Sequence, residues 1–275
     1  MELLLAANLL LAPADAPVAP LKVMTFNLKF ASDQTPHSWA QRRPLNQALL
    51  AKYQPDIIGT QEGVYAQLRD IAADQPDYEW VGVGRDGGSR GEFMAVYYRR
   101  ARLEPLEFEH YWLSDTPEVI GSKSWGNNCV RMVTWVRLRD KQTGHQFYLL
   151  NTHLDHESQN AREHSATLIL ERMKRWDAKL PVIVTGDFNM AAGHNPVYDQ
   201  FIAGGLADTW PAASARGPLV ASFHGYGPTR ETDDRIDWIL TRGDMKVGPI
   251  AILTDREANE SASDHYPVQV ELTLQ

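Results

Sequence analysis

A recurring unit constrains this chain more than any other feature: a short apolar or β-branched run that stops at a polar residue able to do chemistry. Leu21-Lys22-Val23-Met24-Thr25-Phe26 stops at Asn27, Asp56-Ile57-Ile58-Gly59-Thr60 at Gln61-Glu62, and Leu149-Leu150-Asn151 leads to His153. Pro181-Val182-Ile183-Val184-Thr185 feeds Gly186-Asp187 and then Asn189, while Asp264-His265 stand just before the last run, Val268 to Leu274. Runs this short, bounded by turn formers, read as strands. An α/β scaffold carries its functional loops at such strand ends. Asn or Asp at one strand end is ordinarily a turn former, and one His is ordinarily a satisfied core or surface group. The weight lies in the repetition.

Helical spacing separates some of these runs. Residues 44–53 carry Leu45, Leu49, Leu50 and Tyr53, with Pro44 tolerated in a first turn. Residues 159–176 carry Ala161, Ser165, Leu168, Ile169, Met173 and Trp176 at three- and four-residue steps. Further strands are expected at 79–83, 93–98, 103–109, 130–138, 146–151 and 235–240, the last with Asp237 inside it. Strands crowded so closely favour hairpins, and strand, helix, strand elsewhere indicates a layered α/β protein. No repeat or internal linker divides residues 21–275, which therefore read as one domain.

The formal net charge of −8 disfavours a grip on long nucleic acid, which asks for a basic face. A small phosphorylated substrate, held by a cation or a local Arg cluster, remains compatible with it. Cys129 is the single cysteine, which excludes an internal disulfide and a thiolate-rich metal site. Residues 1–20 hold an apolar stretch ending in Pro13-Ala14-Asp15-Ala16, read as a signal peptide or else a flexible N-terminal segment. Secretion or a periplasmic location is the expectation, cytoplasm the alternative. No run reaches the ~20 apolar residues that cross a bilayer, and a monomer is expected.

Hydrolysis of a phosphoester needs an electrophile for the non-bridging oxygens, a group to orient or deprotonate water, and a donor for the leaving oxygen. Glu62 and Asp264 are hard oxygen ligands suited to Mg²⁺. Asn27 and Asn189 can donate to phosphate oxygens without adding negative charge. His153 and His265 can hold or move protons near neutrality, and a carboxylate such as Asp237 can fix one imidazole's tautomer.

In order along the chain, Thr25-Phe26-Asn27, Gly59-Thr60-Gln61-Glu62, Asn151-Thr152-His153-Leu154, Gly186-Asp187-Phe188-Asn189, Ile236-Asp237-Trp238-Ile239 and Ser263-Asp264-His265-Tyr266-Pro267 resemble the motifs of the endonuclease/exonuclease/phosphatase superfamily, the DNase I-like fold. That resemblance covers nearly the whole chain. It implies a four-layer α/β sandwich, two mixed sheets face to face with helices outside, and an active site at one end. It also implies Mg²⁺, for which Mn²⁺ can substitute, bound by Glu62 with help from Asn27 and Asp264. Asp187 would align or activate water, Asn189 would contact phosphate, Asp237 would orient His265, and both histidines would stabilise the transition state; the identity of the base stays open. On this footing His265→Ala and Asp187→Ala are each expected to lower kcat by ~10² with little thermal effect.

Other segments resemble a bacterial subgroup, and within them Glu92, Trp112, Arg131, Arg162 and His224 are candidate substrate contacts, Glu92 also as a support for His153 or a second ion. The favoured activity is a phosphodiesterase or phosphatase, with a nuclease as the alternative. A dizinc hydrolase is the rival suggested by His153-Leu154-Asp155-His156, although no histidine stands two residues before His153. A binding module that has lost the reaction has no missing residue to support it.

Overall fold

The computed structural model describes residues 19–257 and 260–275, so the signal-peptide reading of residues 1–20 lies almost wholly outside the described residues. The first half of the chain forms β1 (Leu21–Asn27), α1 (Trp39–Tyr53), β2 (Ile57–Gln61), β3 (Gly63–Val64), α2 (Tyr65–Asp74), β4 (Tyr78–Val81), β5 (Glu92–Phe93), β6 (Val96–Arg99), β7 (Leu103–Trp112) and β8 (Met132–Asp140). The second half forms β9 (Gln146–His153), α3 (Gln159–Met173), β10 (Val182–Asp187), α4 (Pro196–Ala203), β11 (Ala207–Asp208), α5 (Thr209–Ala212), β12 (Ala215–Arg216), β13 (Asp237–Arg242), β14 (Met245–Ile252) and β15 (Val268–Leu274). One sheet has the order β12-β14-β15-β1-β2-β6-β4 and the other β11-β13-β10-β9-β8-β7, with β3-β5 a separate short pair. Both large sheets are mixed: β1 runs parallel to β2 and antiparallel to β15, and β10 parallel to β9 and antiparallel to β13.

Strand alternation sorts the apolar residues into layers. Leu21 and Val23 of β1 join Ile183, Ile239, Leu149 and Val136 in the core between the sheets. Met24 and Phe26 of the same strand point the other way, against Leu49 and Leu50 of α1 and Leu68 and Ile71 of α2. Val182 and Val184 of β10 face outward onto Ala166 and Ile169 of α3 and Phe201 of α4. The result is helix, sheet, sheet, helix, the four layers expected.

Several boundaries move for identifiable reasons. The helix expected from Pro44 starts at Trp39, because Ser38 accepts from the Gln41 amide while the Gln41 side chain accepts from the Ser38 amide. Pro44 thus lies inside the helix, where it leaves the Ala40 carbonyl without an i+4 amide. The polar first turn hid this start, yet it contains the residue that matters most there. Arg42 is 1% exposed and donates to the carbonyls of Leu28, Lys29, Phe30, His37 and Ala262. It ties the loop after β1 to the segment before Asp264. The run expected at 93–98 is two strands, split because Phe93 pairs with Gly63 while Val96 pairs with Gly59.

Near one end of the sandwich a polar layer replaces the apolar one. Asn151 on β9 donates to the Thr60 and Ala95 carbonyls of the facing sheet at 2.7 and 3.1 Å. Its Oδ1 accepts from Gln61 Nε2 at 2.7 Å and from Thr185 Oγ1 at 3.1 Å. Gly59 makes the close approach possible, since a Cβ there would stand 2.1 Å from Thr185 Oγ1 and 2.7 Å from Asn151 Oδ1.

Asn151→Ala strands several buried donors and acceptors, each worth about 1–3 kcal/mol when left unmade. The expected loss in urea unfolding is about 3 kcal/mol or more, and unchanged stability would show that the polar layer does not clamp the sheets.

Candidate active site

Strand register brings the polar ends together. Asn27 lies level with Gln61 across β1 and β2, and Asp187 lies level with His153 on one side and Asp237 on the other. The two sets meet because Asn27 Nδ2 donates to Asp187 Oδ2 at 2.9 Å and to Glu62 Oε1 at 3.0 Å. Glu62 sits at φ 62° and Asn189 at φ 55°. Asn tolerates that region, whereas Glu adopts it at a cost of order 1–3 kcal/mol. The bonds from Asn27 and from the Phe30 amide to the Glu62 carboxylate hold it there.

His265 is the electrostatic centre. Its Nδ1 lies 2.9 Å from Asp237 Oδ2 and its Nε2 lies 3.7 Å from Asp187 Oδ2. Burial alone would lower its pKa, but the Asp237 and Asp187 carboxylates outweigh it and raise the value to about 10. The ring is an imidazolium through the neutral range. Burial and the Asp237 charge push the Asp187 carboxyl up, opposed by His265 and by bonds from Asn27 and the Asn189 amide. His153 is the opposite case: burial, with Arg131, His265, Arg85 and His156 nearby, holds its pKa well below the ordinary value. Its neutral ring accepts at Nε2 from Asn189 Nδ2, 2.9 Å away, which leaves the proton on Nδ1. Two histidines a few ångströms from Asp187 are therefore held in different protonation states.

Above this trio opens a cleft of about 300 Å³, lined among others by Glu62, His153, Asp187, Asn189, Asp264 and His265. Burial, the largest influence on Glu62, raises its pKa, yet Asn27, His265, Lys29 and the Phe30 amide together leave it lowered. Lys29 Nζ stands 3.5 Å from Asp264 Oδ2. Two hard carboxylates in one cleft fit a divalent cation. Asp187, Asp237 and His265 also have ligand atoms within 4.8 Å of one another, but His265 already occupies both carboxylates.

The candidate substrate contacts divide. Arg131 and Glu92 line the cleft. Glu92 is bound to Arg85 Nη1 at 2.6 Å, so it does not support His153, whose Nδ1 has no partner. Trp112 is a correction: it is buried and its indole donates to the Arg85 carbonyl, so it braces the wall from behind. Arg162 is another, its guanidinium spent on the Asp155 carbonyl and Gln159. His224 is a third, packed on Tyr266 with Nδ1 accepting from the Tyr226 amide. Its neighbour Phe223 lines the cleft instead. Lys29, Phe30, Arg85, Cys129 and His156 also line the cleft, beyond what the sequence motifs point to. Arg85 had a signal, in the Gly84-Arg85-Asp86-Gly87-Gly88 turn. Phe30 and Phe223 had none, since an isolated aromatic reads as core.

Asp155 removes the zinc rival's ligand set. Its buried carboxylate accepts from the amides of Asn128, Cys129, Glu157 and Ser158, so it clamps backbone.

Two packed mixed sheets thus hold a buried carboxylate–imidazole–carboxylate trio under a small charged cleft, a layered α/β protein with a polar site at one end. Residues 24–265 match the family model described as endonuclease/exonuclease/phosphatase family, and the chain belongs to that family. It is similar to a mannosyl-6-phosphatase of Bacteroides thetaiotaomicron, with 37% identity, TM-score 0.87, and coverage of 92% of this chain and 100% of that one. An endonuclease/exonuclease/phosphatase protein of Bacteroides vulgatus is similar at 30% identity and TM-score 0.88, covering 94% of this chain and 100% of that one. The human nocturnin catalytic domain shares the fold at 20% identity and TM-score 0.71, covering 94% of each chain. The protein is a phosphoester hydrolase of a family that generally depends on divalent metal.

Because His265 neutralises two buried carboxylates, the thermally silent His265→Ala expected from sequence gives way to a destabilised one. Removing one partner of a buried ion pair costs about 3–5 kcal/mol. Asp187→Asn, which relieves the burial and the repulsion from Asp237 that push the Asp187 carboxyl up, should cost less. Equal losses in urea unfolding would show that the carboxylates do not strain each other.

Proposed function

We propose that the protein is a Mg²⁺-dependent phosphatase of small, soluble phosphomonoesters, phosphorylated sugars foremost. The observation that carries this reading is the His265 imidazolium, fixed between Asp237 and Asp187 at the foot of a cleft of about 300 Å³ with Lys29, Arg85 and Arg131 on its walls. That volume is at the lower end of small-ligand sites. The likeness to a mannosyl-6-phosphatase supports the sugar assignment. No helix among the described residues is long and apolar enough to cross a membrane.

In this reading Glu62 and Asp264 hold the metal, which supplies positive charge to the non-bridging oxygens. The His265 imidazolium donates from Nε2 to a phosphoryl oxygen, and its charge is worth most in the water-poor floor of the cleft. Asp237 keeps the ring's other nitrogen protonated and aimed. Asp187 is fixed by Asn27 and the Asn189 amide, so its carboxylate is placed to orient the attacking water. Neutral His153, held by Asn189, adds a second imidazole edge toward the phosphoryl group. Phe30 and Phe223, 40% and 41% exposed at the mouth, offer ring faces to the rest of the substrate.

Metal-free protein should be inactive toward p-nitrophenyl phosphate and recover with Mg²⁺ or Mn²⁺, while Glu62→Gln lowers kcat by ~10² or more at saturating metal. Full turnover in excess chelator overturns the metal assignment. A screen of sugar phosphates against bis(p-nitrophenyl) phosphate should favour the monoesters. Asp237→Asn should lower kcat by about the same factor with the Mg²⁺ activation constant unmoved; strong weakening of that constant would place Asp237 on the metal.

A further inference from the structure

We propose, resting on the phosphatase reading above, that Arg131 is the specificity determinant of the cleft: its guanidinium reads the second negative charge of a phosphomonoester and thereby selects monoesters over diesters. Arg131 stands just before β8, its carbonyl tied to the Leu113 amide at 2.8 Å, and its side chain is 4% exposed. It lines the cleft beside His153.

A guanidinium this deeply enclosed ordinarily has its charge and its donors matched. Arg42 spends its donors on five carbonyls. Arg102 lies 3.1 Å from Asp140, and Arg235 lies 3.0 Å from Asp208. Arg131 has neither arrangement, although Arg235 shares its unpartnered buried Nε. Its carboxylate neighbour is Asp155, and the approach is 3.9 Å, beyond a hydrogen bond. Asp155 cannot close that gap, because Oδ2 already accepts from the amides of Asn128 and Cys129, and Oδ1 from those of Glu157 and Ser158. Arg131 Nε is buried without any hydrogen-bond partner. The remaining contact is Nη2 with His156 Nδ1 at 3.1 Å, which brings no negative charge when the imidazole accepts.

The other cations of the cleft are matched. Arg85 holds Glu92 at 2.6 Å, and Lys29 holds Asp264 at 3.5 Å. Arg131 is therefore the cleft cation with hydrogen-bonding capacity left over, on the same cleft as His153 and His265. A diester carries one negative charge and presents two esterified oxygens. A monoester in its dianionic form carries two charges on three free oxygens, so it gains more from the guanidinium's charge than a diester does. The backbone clamp on Asp155 is what keeps Arg131 underpaired, so the fold itself reserves this cation for a ligand.

The test compares wild type, Arg131→Met and Arg131→Lys, all Mg²⁺-loaded, on p-nitrophenyl phosphate and on methyl p-nitrophenyl phosphate, which share a leaving group and differ by one charge. Charge-assisted bonds of this kind are worth about 10- to 100-fold. Arg131→Met should lose that factor in kcat/KM on the monoester and less than about threefold on the diester, with Arg131→Lys intermediate. Equal losses on both esters, or none on the monoester, overturn the assignment. Calorimetric binding of inorganic phosphate to the same three proteins gives an independent reading, and affinity unchanged in Arg131→Met also overturns it. Should wild type hydrolyse neither ester, the phosphatase reading falls, while phosphate binding lost in Arg131→Met still carries the role of Arg131 as the dianion's partner. Arg131→Lys keeps the comparison open if Arg131→Met fails to fold.

Discussion

One carboxamide, that of Asn151, sets the distance on which everything else in this molecule depends. Between the two sheets most contacts are apolar and so non-directional, able to slide by fractions of an ångström. At the end that carries the chemistry, Asn151 converts that soft contact into hydrogen bonds with the Thr60 and Ala95 carbonyls, Gln61 and Thr185. The strands so joined are those that deliver Glu62, His153 and Asp187 one or two residues later. Arg42 does the corresponding work outside the sheet, fixing the Leu28 to Phe30 loop against Ala262. Preorganisation of the site is thus built from buried amides and a buried guanidinium behind it.

The site in turn carries electrostatic strain that the scaffold sustains. Two carboxylates, Asp187 and Asp237, share one imidazolium in a buried floor, and Glu62 holds a backbone conformation that Glu adopts only under constraint. A guanidinium whose nearest carboxylate stands 3.9 Å away, beyond a hydrogen bond, lies on the same cleft. Each of these features costs stability in the free protein, and the underpaired guanidinium becomes favourable when a phosphate arrives with its own charge and oxygens. This is the pattern of a surface complementary to the reacting ligand.

Much of the architecture was legible because strand alternation and terminal polar residues are local signals. β15 is read to the residue, and the strands bearing Asn27, Asp187 and His153 are read to within two residues. What stayed hidden depends on distance in the chain. Ser38 and Gln41 start α1 through a reciprocal cap that the apolar pattern does not mark, and Arg42 looks like any solvated helix residue until its five carbonyl partners are known. Trp112, Arg162 and His224 have the right chemistry for a substrate, but Trp112 and Arg162 spend their donors on backbone and a neighbouring side chain, and His224 is buried against Tyr266. Phe223 and Phe30 have no polar group to announce them and reach the cleft through loop geometry alone. The protonation contrast between His153 and His265 is likewise set by groups on other segments, Asp237 and Asp187 beside His265 and Arg131 beside His153.

The central claim is that water, oriented by Asp187 and opposed by the His265 imidazolium, attacks phosphorus directly in one displacement. The stereochemical course of hydrolysis tests this most directly, using a phosphomonoester made chiral at phosphorus with oxygen isotopes and sulfur, turned over in isotopically distinct water. A single in-line displacement inverts the configuration, and inversion is the result this account predicts. Retention would require two displacements through a phosphorylated side chain and would contradict it.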